Sequence, residues 1–348
     1  MGGSRIMDRG AAMQMNPFER VAIGDTGVEV TQLGLGGVFV AGRDHDDGSI
    51  TGYQTALATL DRAYEIGIRY FDTAPLYGRG RSEKRFGKML GRRVRESFAL
   101  STKVGRLLVP DTQDPGVWVE DGLPHLVATF DLSRDGIRRS VEESLERHKL
   151  GHAEILYLHD PDVENLEDEA IRTAFPALFE LKQEGIVKAI GVGMNQWEMP
   201  LRFLQEFTLD IILLAGRYTL LDQAAYLKFL PECEKRGTKV VTGGPFNSGI
   251  LTATDFDKPA WFNYKQASPE WLEKARALKV VCQRHGVDLK AAALQFPLAH
   301  PAVACVIPGA ASPEQVEQNA ALIRADCPAD LWAEMKHEGL IPLDAPTP

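Results

Sequence analysis

Isolated polar side chains stand at the ends of four apolar runs of the sequence. Asp72 ends the run RYFD, Lys103 ends FALSTK, His159 ends ILYLH, and Asn195 follows AIGVG. If these runs are parallel strands of one barrel, their carboxyl ends meet at one mouth, where such barrels carry their chemistry. Alone, each residue has a structural explanation, as a cap, a solvent-facing lysine or a buried histidine. Together they predict a functional site.

Tyr77 supplies the group that this set lacks. It lies in FDTAPLYG (71–78), just beyond the run that ends in Asp72. The pKa of a free tyrosine, about 10, is too high for easy proton exchange at neutral pH. We therefore expect the ammonium of Lys103 to lower it, Asp72 to hold that lysine, and His159 to donate a hydrogen bond to the substrate oxygen. The set predicts a proton relay between an alcohol and a carbonyl, without a covalent nucleophile or a metal.

Short runs with strand character alternate with longer stretches of helical periodicity after Asn16. The predicted strands are Leu33–Phe39, Arg69–Asp72, Phe98–Lys103, Glu154–His159, Val187–Gly193, Ile211–Leu214, Lys239–Gly243 and Val303–Pro308. The predicted helices are Gln54–Ile66, Arg81–Leu90, Arg134–His148, Asp168–Glu184, Glu198–Glu206, Gln223–Lys235, Glu270–Arg284 and Pro313–Arg324. Eight strand–helix units over about 300 residues predict an α/β fold of the (β/α)8 TIM-barrel type.

An open, doubly wound sheet is the alternative architecture. It normally carries G-x-G-x-x-G after its first strand, and the run GLGGVF (34–39) lacks the third glycine. Close backbone packing explains Gly36 and Gly37 better, so the pattern favours the barrel.

Two segments interrupt the strand–helix alternation. The first, RVAIGDTGVEV (20–30), predicts a β-hairpin that turns at Gly24 and Asp25 and could plug the bottom of the barrel. The second, Gly105–Leu132, is rich in proline and has no clear periodicity. It predicts a long loop after the third strand, of the kind that serves as a lid or a binding loop.

Composition excludes several classes of protein. A net charge of −9 provides no basic surface for nucleic acid or an anionic membrane. The weakly charged stretch 291–311 contains three prolines and fits two buried barrel elements joined by a turn better than a membrane span. The four separated cysteines predict no zinc site or disulfide framework and fit a reducing, cytoplasmic location. We expect residues 1–16 to be a disordered leader or tag remnant, and 17–348 to form one barrel domain.

The motifs FDTAPLYG (71–78), STKVG (101–105), LHD (158–160) and GVGMNQW (191–197) closely resemble those of the aldo-keto reductases, in the expected order. The resemblance extends from Val30 to Ile323. It implies that Asp72, Tyr77, Lys103 and His159 form that family's catalytic tetrad. It also implies a nicotinamide cofactor bound across the barrel mouth without a Rossmann fold.

Three further segments narrow the resemblance to a branch of sugar 1-dehydrogenases. They are LLAGRYTLLDQ (213–223), FNSGIL (246–251) and AAALQFPLAHPAV (291–303). That branch, acting on L-fucose, D-threo-aldoses or galactose, implies oxidation of an anomeric hydroxyl to a lactone, with Tyr77 as base. The alternatives are a pyridoxal 4-dehydrogenase, a general NADPH-dependent aldehyde reductase, and a cofactor-binding regulatory subunit that senses redox state. The expected partner is a small molecule, and the expected assembly a monomer or small homo-oligomer.

The resemblance implies which residues bind the cofactor, and one departure from it bears on the choice of cofactor. Where many members carry a lysine and an arginine for the NADPH 2′-phosphate, this chain has Gly309 and Gln315. A phosphate without a cationic partner loses charge-assisted hydrogen bonds, and Glu314 and Glu317 add repulsion. We therefore predict NAD as the preferred cofactor. NADP is the alternative, with Arg324 or a lysine from elsewhere as the partner of its 2′-phosphate. Asn319 is expected to bond the adenine. The full set of expected cofactor residues is Gly36, Asp72, Met194, Asn195, Pro245, Phe246, Asn247, Gly249, Leu251, Gly309, Ala310, Gln315, Gln318 and Asn319.

A second departure concerns the nicotinamide ring. Where the family often stacks a tyrosine from the seventh strand, this chain has Gly243, and where a glutamine often holds the carboxamide it has Ala215. The ring must therefore be held differently, and Arg217 and Phe246 are the candidates.

The expected substrate pocket is apolar with a few polar groups, as a pyranose ring stacking on aromatic side chains requires. Its expected residues are Phe39, Tyr77, Trp118, His159 and Trp197. Packing of the lid is the alternative role for Trp118, and packing at the start of a helix is the alternative for Trp197.

Overall fold

The computed structural model describes residues 14–42, 52–256 and 258–348. An N-terminal hairpin comes first, in which β1 (Arg20–Ala22) pairs antiparallel with β2 (Glu29–Thr31). The barrel strands follow: β3 (Leu35–Gly36), β4 (Tyr70–Asp72), β5 (Ala99–Val104), β10 (Ile155–His159), β11 (Ala189–Met194), β12 (Ile211–Ala215), β13 (Lys239–Gly243) and β16 (Val303–Ile307).

These eight strands pair in parallel and in chain order, from β3 to β16. A parallel bridge between Leu33 and Val306 joins the first strand to the last. Two hydrogen bonds reinforce it, from Gly34 N to Val306 O (3.0 Å) and from Val306 N to Gln32 O (2.8 Å). The predicted (β/α)8 barrel is therefore confirmed. The first strand is shorter than predicted, because the chain turns into a 3₁₀ helix at Phe39–Ala41.

Helices surround the barrel. They are α1 (Tyr53–Ile66), α2 (Arg81–Leu90), α3 (Arg134–His148), α4 (Glu167–Glu169), α5 (Phe175–Gln183), α6 (Glu198–Glu206), α7 (Phe229–Arg236), α8 (Pro269–Arg284), α9 (Leu289–Leu298), α10 (Pro313–Arg324) and α11 (Ala329–His337). A π-helical turn at 170–174 separates α4 from α5 within one predicted helix. None of the helices in the described ranges is long and apolar enough to span a bilayer.

Three predictions about helices need correction. Residues 223–228 form an irregular segment instead of the start of a helix, because the Gln223 amide donates to the carbonyls of Thr219 and Leu220. Helix α9 precedes β16 in the stretch predicted as two buried elements, although it was not assigned as a helix. Helix α11 was not predicted at all.

The N-terminal hairpin closes the bottom of the barrel, as predicted. Its side chains Ile23, Val28 and Val30 are buried in one cluster with residues that begin the barrel strands, including Ala99 and Ile155. The predicted leader lies partly outside the described residues. Gln14 nevertheless donates to the carbonyl of Arg324 (2.6 Å), and Met15 packs against the core. Packing on the barrel thus begins before the predicted boundary at residue 17.

The segment after β5 is a long excursion, but it is paired rather than irregular. Strand β6 (Arg106–Pro110) pairs with β9 (Leu126–Phe130), and β7 (Val117–Trp118) pairs with β8 (Leu123–Pro124), both antiparallel. Burial does not alternate along β6 or β9, so no period of two in the sequence could have predicted this pairing. A smaller hairpin, β14 (Trp261–Phe262) with β15 (Lys265–Gln266), follows β13.

Candidate active site

A buried ion pair lies beneath the barrel mouth. Lys103 Nζ donates to Asp72 Oδ1 (3.0 Å), to Asp72 Oδ2 (2.8 Å) and to the carbonyl of Thr73 (3.0 Å). Both side chains are only 2% exposed. All three ammonium protons are therefore engaged, and the charge of Lys103 is neutralised within the site.

A hydrogen-bonded chain inside the barrel supports Asp72 from below. Ser101 Oγ donates to Asp72 Oδ1 (2.7 Å) and bonds the Tyr70 hydroxyl (3.0 Å), which bonds the Tyr157 hydroxyl (3.1 Å). Ser101 and Lys103 are two residues apart on β5, so both face the barrel interior. This periodicity brings the lysine and the supporting serine to the same carboxylate.

Tyr77 lies directly beside this pair. The Lys103 ammonium is 4.5 Å from the centroid of the tyrosine ring. Among the described residues, no group hydrogen-bonds the Tyr77 hydroxyl, which leaves it available to a ligand. The prediction that Lys103 lowers the pKa of Tyr77 is wrong for this structure. Burial, and then the negative charges of Asp72 and Asp160, raise that pKa well above its ordinary value.

His159 faces Tyr77 across the mouth. The two rings are 5.9 Å apart between centroids and nearly perpendicular. The histidine is 4% exposed, and its Nδ1 is buried without a hydrogen-bond partner among the described residues. Burial and the positive charges of Lys103 and Arg106 hold its pKa well below the ordinary value. His159 is therefore a neutral imidazole, suited to hydrogen-bonding a substrate oxygen rather than to protonating it.

Two charged residues at this mouth were missed by the sequence analysis. Arg106 Nη2 bonds Asp160 Oδ2 at 3.1 Å, and the same carboxylate oxygen is 3.4 Å from His159 Nε2. Arg106 begins β6 just beyond STKVG, and Asp160 is the last residue of LHD. Their adjacency to Lys103 and His159 in the sequence was the available signal, but strand periodicity would place Asp160 on the opposite face from His159.

A small cavity lies at the ends of β11, β12 and β13, at the same end of the barrel as the tetrad. Asn195, Ala215, Gly216, Arg217 and Asn247 line it, together with Asn263 and Tyr264 from the turn between β14 and β15. Arg217 lines this cavity while bonded to Asp222 (3.2 Å), whereas Phe246 packs against the core. Of the two side chains expected near the nicotinamide ring, only Arg217 is thus at the cavity. Tyr264 was not predicted here.

The remaining expected cofactor residues after β13 differ in role. Asn247 is 4% exposed, accepts from Thr219 Oγ1 (2.6 Å) and donates to the Gly216 carbonyl (3.2 Å). It therefore ties the segments after β12 and β13 together. Pro245 is buried and Gly249 is exposed, while the Leu251 side chain lies in the core. Met194 is likewise buried in the core.

The segment after β16 carries the residues expected around the adenosine. Gln315 accepts from the backbone of Ala311 (2.7 Å), and Asn319 donates to the Gly309 carbonyl (3.5 Å). Ala310 is buried and Gln318 is exposed on α10. Gly36 sits on β3 opposite Asp72, and a side chain there would meet only Ile307, at 3.9 Å.

The mouth has the features that an extended dinucleotide requires. Left-handed glycines, Gly216 and Gly244, open the backbone at neighbouring strand ends, and the cavity between them presents amides and a guanidinium. Asn195 and Arg217 line this cavity, while both polar groups of the Asn247 amide are engaged within the protein. The roles of these residues and of the 309–319 segment in binding a nicotinamide dinucleotide stay predictions.

The expected aromatic pocket is only partly assembled. Phe39 packs its ring on Gly309, on the cofactor side of the mouth. Trp118 lies between Arg81, 3.8 Å from the indole, and His125, 4.4 Å between ring centroids. Trp197 packs against the core just before α6. These contacts favour packing for both tryptophans, and a contact between either of them and substrate stays a prediction.

Comparisons with known proteins agree with this geometry. Residues 32–337 match the model of the aldo/keto reductase family. A D-threo-aldose 1-dehydrogenase from a Pseudomonas species is 41% identical over 82% of this chain and 88% of its own length. A pyridoxal 4-dehydrogenase from Microbacterium luteolum is 38% identical over 94% of this chain and its full length.

A solved structure gives the same result at the level of fold. The holo form of an aldo-keto reductase from Bacillus halodurans superposes with a TM-score of 0.73 at 26% identity, covering 92% of this chain and 96% of its own. Family match, identity and fold therefore agree with the tetrad at the barrel mouth: this chain belongs to the aldo-keto reductase family and is an NAD(P)(H)-dependent oxidoreductase.

Proposed function

We propose that this enzyme oxidises the anomeric hydroxyl of a cyclic aldose, of the L-fucose or D-threo-aldose type, to the lactone, with NAD as the preferred acceptor. The observation that carries the proposal is the tetrad itself. A buried Lys103–Asp72 pair underlies an unbonded Tyr77 hydroxyl, and a neutral His159 lies opposite. This arrangement handles one proton and one oxygen and contains no nucleophile poised for covalent chemistry.

Tyr77 moves the proton. In the oxidative direction its hydroxyl oxygen takes the proton of the substrate hydroxyl, and in the reductive direction it returns that proton. The nicotinamide, when bound, accepts or supplies the hydride, and its oxidised form carries a positive charge. Burial and Asp72 raise the pKa of Tyr77, so the protonated hydroxyl is its resting form.

His159 and the ion pair position the reactants. The neutral imidazole can hydrogen-bond the substrate oxygen without competing for the proton that Tyr77 moves. The Lys103–Asp72 pair keeps a cation 4.5 Å from the tyrosine ring at a fixed place, since three hydrogen bonds restrain the lysine. Restraint of this kind lowers the reorganisation needed during proton transfer.

The similar proteins support the choice of substrate. The D-threo-aldose 1-dehydrogenase and the pyridoxal 4-dehydrogenase are both named as dehydrogenases. Pyridoxal is thus the second candidate substrate, favoured by its relative's match over 94% of this chain. The higher identity to the aldose enzyme makes a cyclic sugar the first choice.

The segment after β16 supports NAD over NADP. A side chain at residue 309 would overlap the ring of Phe39, so no lysine can stand there without displacing that ring. Gln315 is engaged with Ala311. Arg324 ends α10, nine residues beyond Gln315, and stacks on Phe18. At about 1.5 Å per residue it is more than 13 Å along the helix from Gln315, too far to replace the missing cation at the start of α10.

The test is the absorbance of reduced nicotinamide with NAD and NADP separately, against L-fucose, D-arabinose, D- and L-galactose, L-rhamnose, pyridoxal and simple aldehydes. We expect NADH formation with at least one aldose and weaker activity with NADP. Turnover of pyridoxal alone would select the second candidate. Turnover only of aldehydes with NADPH would overturn both the oxidative assignment and the cofactor argument.

A further inference from the structure

A guanidinium–carboxylate pair stands against the catalytic histidine, and the proton relay does not use it. Arg106 and Asp160 have side chains 11% and 18% exposed, and they meet through one contact, Nη2 to Oδ2 at 3.1 Å. Arg106 Nε also approaches the carbonyl of His159 (3.5 Å), and its guanidinium lies 4.6 Å from the centroid of the Phe130 ring. Both residues are therefore held at the mouth by several contacts.

The backbone places Asp160 beside the reacting groups at an energetic cost. Its φ is +42°, in the left-handed region, which non-glycine residues adopt rarely and mostly at turns or functional sites. In a continuing strand the side chains of residues 159 and 160 would point to opposite faces. The left-handed turn, fixed by the bond from Asp160 N to Gly193 O (3.0 Å), instead brings the carboxylate within 3.4 Å of His159 Nε2.

The pair keeps unused hydrogen-bonding capacity. Within the described part of the chain, neither Asp160 Oδ1 nor Arg106 Nη1 makes a hydrogen bond, and neither residue has an unstated partner. A free carboxylate oxygen accepts, and a free guanidinium nitrogen donates. Together they match a carbon that carries a hydroxyl, which both donates and accepts.

We propose that Arg106 and Asp160 bind the hydroxyl on the carbon next to the reacting one, the 2-hydroxyl of an aldose. The substrate oxygen that His159 bonds and this hydroxyl are on adjacent carbons, so the groups that bind them must also be adjacent. The pair therefore restricts the enzyme to substrates with an α-hydroxyl. The inference rests on the proposed oxidation of an aldose and adds the group that selects it.

The experiment compares wild type and variants on pairs of sugars that differ only in the 2-hydroxyl. D-arabinose and 2-deoxy-D-ribose differ at carbon 2 only, in the presence of its hydroxyl, and L-fucose and 2-deoxy-L-fucose form a second pair. Asp160→Asn is the variant, because asparagine tolerates a left-handed backbone. Asp162→Asn, on the same loop, is the matched control for loss of one negative charge. Arg106→Lys keeps the charge and removes the planar fork.

We expect the wild type to prefer each aldose over its 2-deoxy form by at least tenfold in kcat/KM. Asp160→Asn should lose about that factor on the aldose and far less on the 2-deoxy sugar, so that the preference collapses. Arg106→Lys should show a partial collapse, and Asp162→Asn should keep the wild-type ratio. A ratio of this kind is insensitive to the fraction of folded enzyme.

Two results would overturn the inference and leave the proposed function intact. One is a wild type that oxidises both members of a pair equally well, and the other is an unchanged preference in Asp160→Asn. A wild type that oxidises no aldose while reducing simple aldehydes would instead overturn the proposed function, and the inference with it.

Discussion

Strand β5 contributes to two buried ionic clusters that lie on opposite sides of the barrel wall. The mouth cluster consists of Asp72, Ser101 and Lys103, and faces the barrel interior. The wall cluster consists of Glu83 on α2, Thr102 on β5 and Arg147 on α3, and lies between the barrel and its helices. Because side chains alternate along a strand, three consecutive residues serve both.

The two clusters have similar bonds and different surroundings. In the wall cluster, Glu83 is fully buried and accepts from Thr102 Oγ1 (2.7 Å) and Arg147 Nε (2.5 Å). Although burial raises the pKa of Glu83, the charge of Arg147 and the bond from Thr102 bring it below the ordinary value. Both oxygens of the Glu83 carboxylate are thus bonded, and Arg147 is further held by Glu143 (3.7 Å) and Ser144 (3.1 Å). The mouth cluster instead borders Tyr77, with its unbonded hydroxyl, and His159, with its unpartnered Nδ1.

This difference shows that burial and pairing do not by themselves identify a catalytic ion pair. What distinguishes the mouth is that the unbonded Tyr77 hydroxyl, the unpartnered His159 Nδ1 and the left-handed Asp160 lie together at one end of the barrel. Such features cost stability and persist where function requires them. Beside the wall cluster, His148 Nε2 is also unpartnered and Lys149 is also left-handed, but Lys149 ends helix α3. The wall cluster lies between β5 and the helices α2 and α3, away from the mouth, and should contribute to stability alone.

The largest effect should come from Tyr77→Phe. Loss of the proton-transferring hydroxyl should lower kcat by about 10²- to 10⁴-fold. Since no described residue bonds that hydroxyl, the melting temperature should stay close to that of the wild type. Steady-state kinetics and thermal unfolding measure the two quantities. Activity within tenfold of the wild type would remove Tyr77 as the proton-transfer residue.

Glu83→Gln, in the wall cluster, should have the opposite effect to Tyr77→Phe: it should lower stability and leave kcat unchanged. Arg147 would lose its nearest charged partner and keep Glu143 at 3.7 Å, which should lower the free energy of unfolding by about 1.5–3 kcal/mol. The kcat per folded molecule should remain within twofold of the wild type. Urea unfolding and kinetics normalised to folded enzyme separate the two effects. A large loss of kcat at unchanged stability would mean that the wall cluster also serves catalysis.

The two clusters also differ in how far the sequence predicts them. Asp72, Lys103 and His159 end apolar runs, and the parallel barrel necessarily gathers such residues at one mouth. Glu83 and Arg147 look like ordinary charges on helix surfaces, and only the packing of α2 on α3 makes them a pair. Asp160 was missed because its position depends on a left-handed turn that strand periodicity does not predict. The pKa of Tyr77 was wrongly predicted because burial, followed by the charges of Asp72 and Asp160, raises it.

Asp160→Asn should be more stable than the wild type, because the ionised carboxylate of Asp160 destabilises the mouth, whereas Glu83 stabilises the wall cluster. Burial raises the pKa of Asp160 to about 6, against the pull of Arg106. The protonated side chain therefore contributes its full stabilisation of the fold below about pH 4. This contribution is lost as the pH rises through about 6. Asparagine stays neutral, so the variant should be about 1–3 kcal/mol more stable than the wild type at pH 8. The difference should shrink as the pH falls towards 5.

Chemical unfolding of both proteins from pH 5 to pH 8.5 measures that difference. A constant difference across the range would show that Asp160 does not titrate as its burial requires. A variant less stable than the wild type at pH 8 would show that the ion pair with Arg106 outweighs the desolvation of the carboxylate.

The smallest effects should come from the two neighbouring hydroxyls on β5, Ser101 and Thr102. Each donates one hydrogen bond, of 2.7 Å, to the carboxylate of its own cluster. Removing a bond to a charged group costs about 1.5–3 kcal/mol. In Ser101→Ala that loss should loosen Asp72 and Lys103 and lower kcat about three- to tenfold. In Thr102→Ala it should lower the free energy of unfolding and leave kcat unchanged.

Thr102→Ser is the matched control, because it keeps the hydroxyl and should restore most of the stability lost in the alanine variant. If Thr102→Ala lowered kcat as much as Ser101→Ala, the two faces of β5 would not be independent. The wall cluster would then position the mouth cluster through the strand that they share, since additive effects are expected only where two sites have no common partner. If Ser101→Ala and Thr102→Ala lowered kcat equally, and the double variant lost no more than either alone, the coupling would lie in β5 itself.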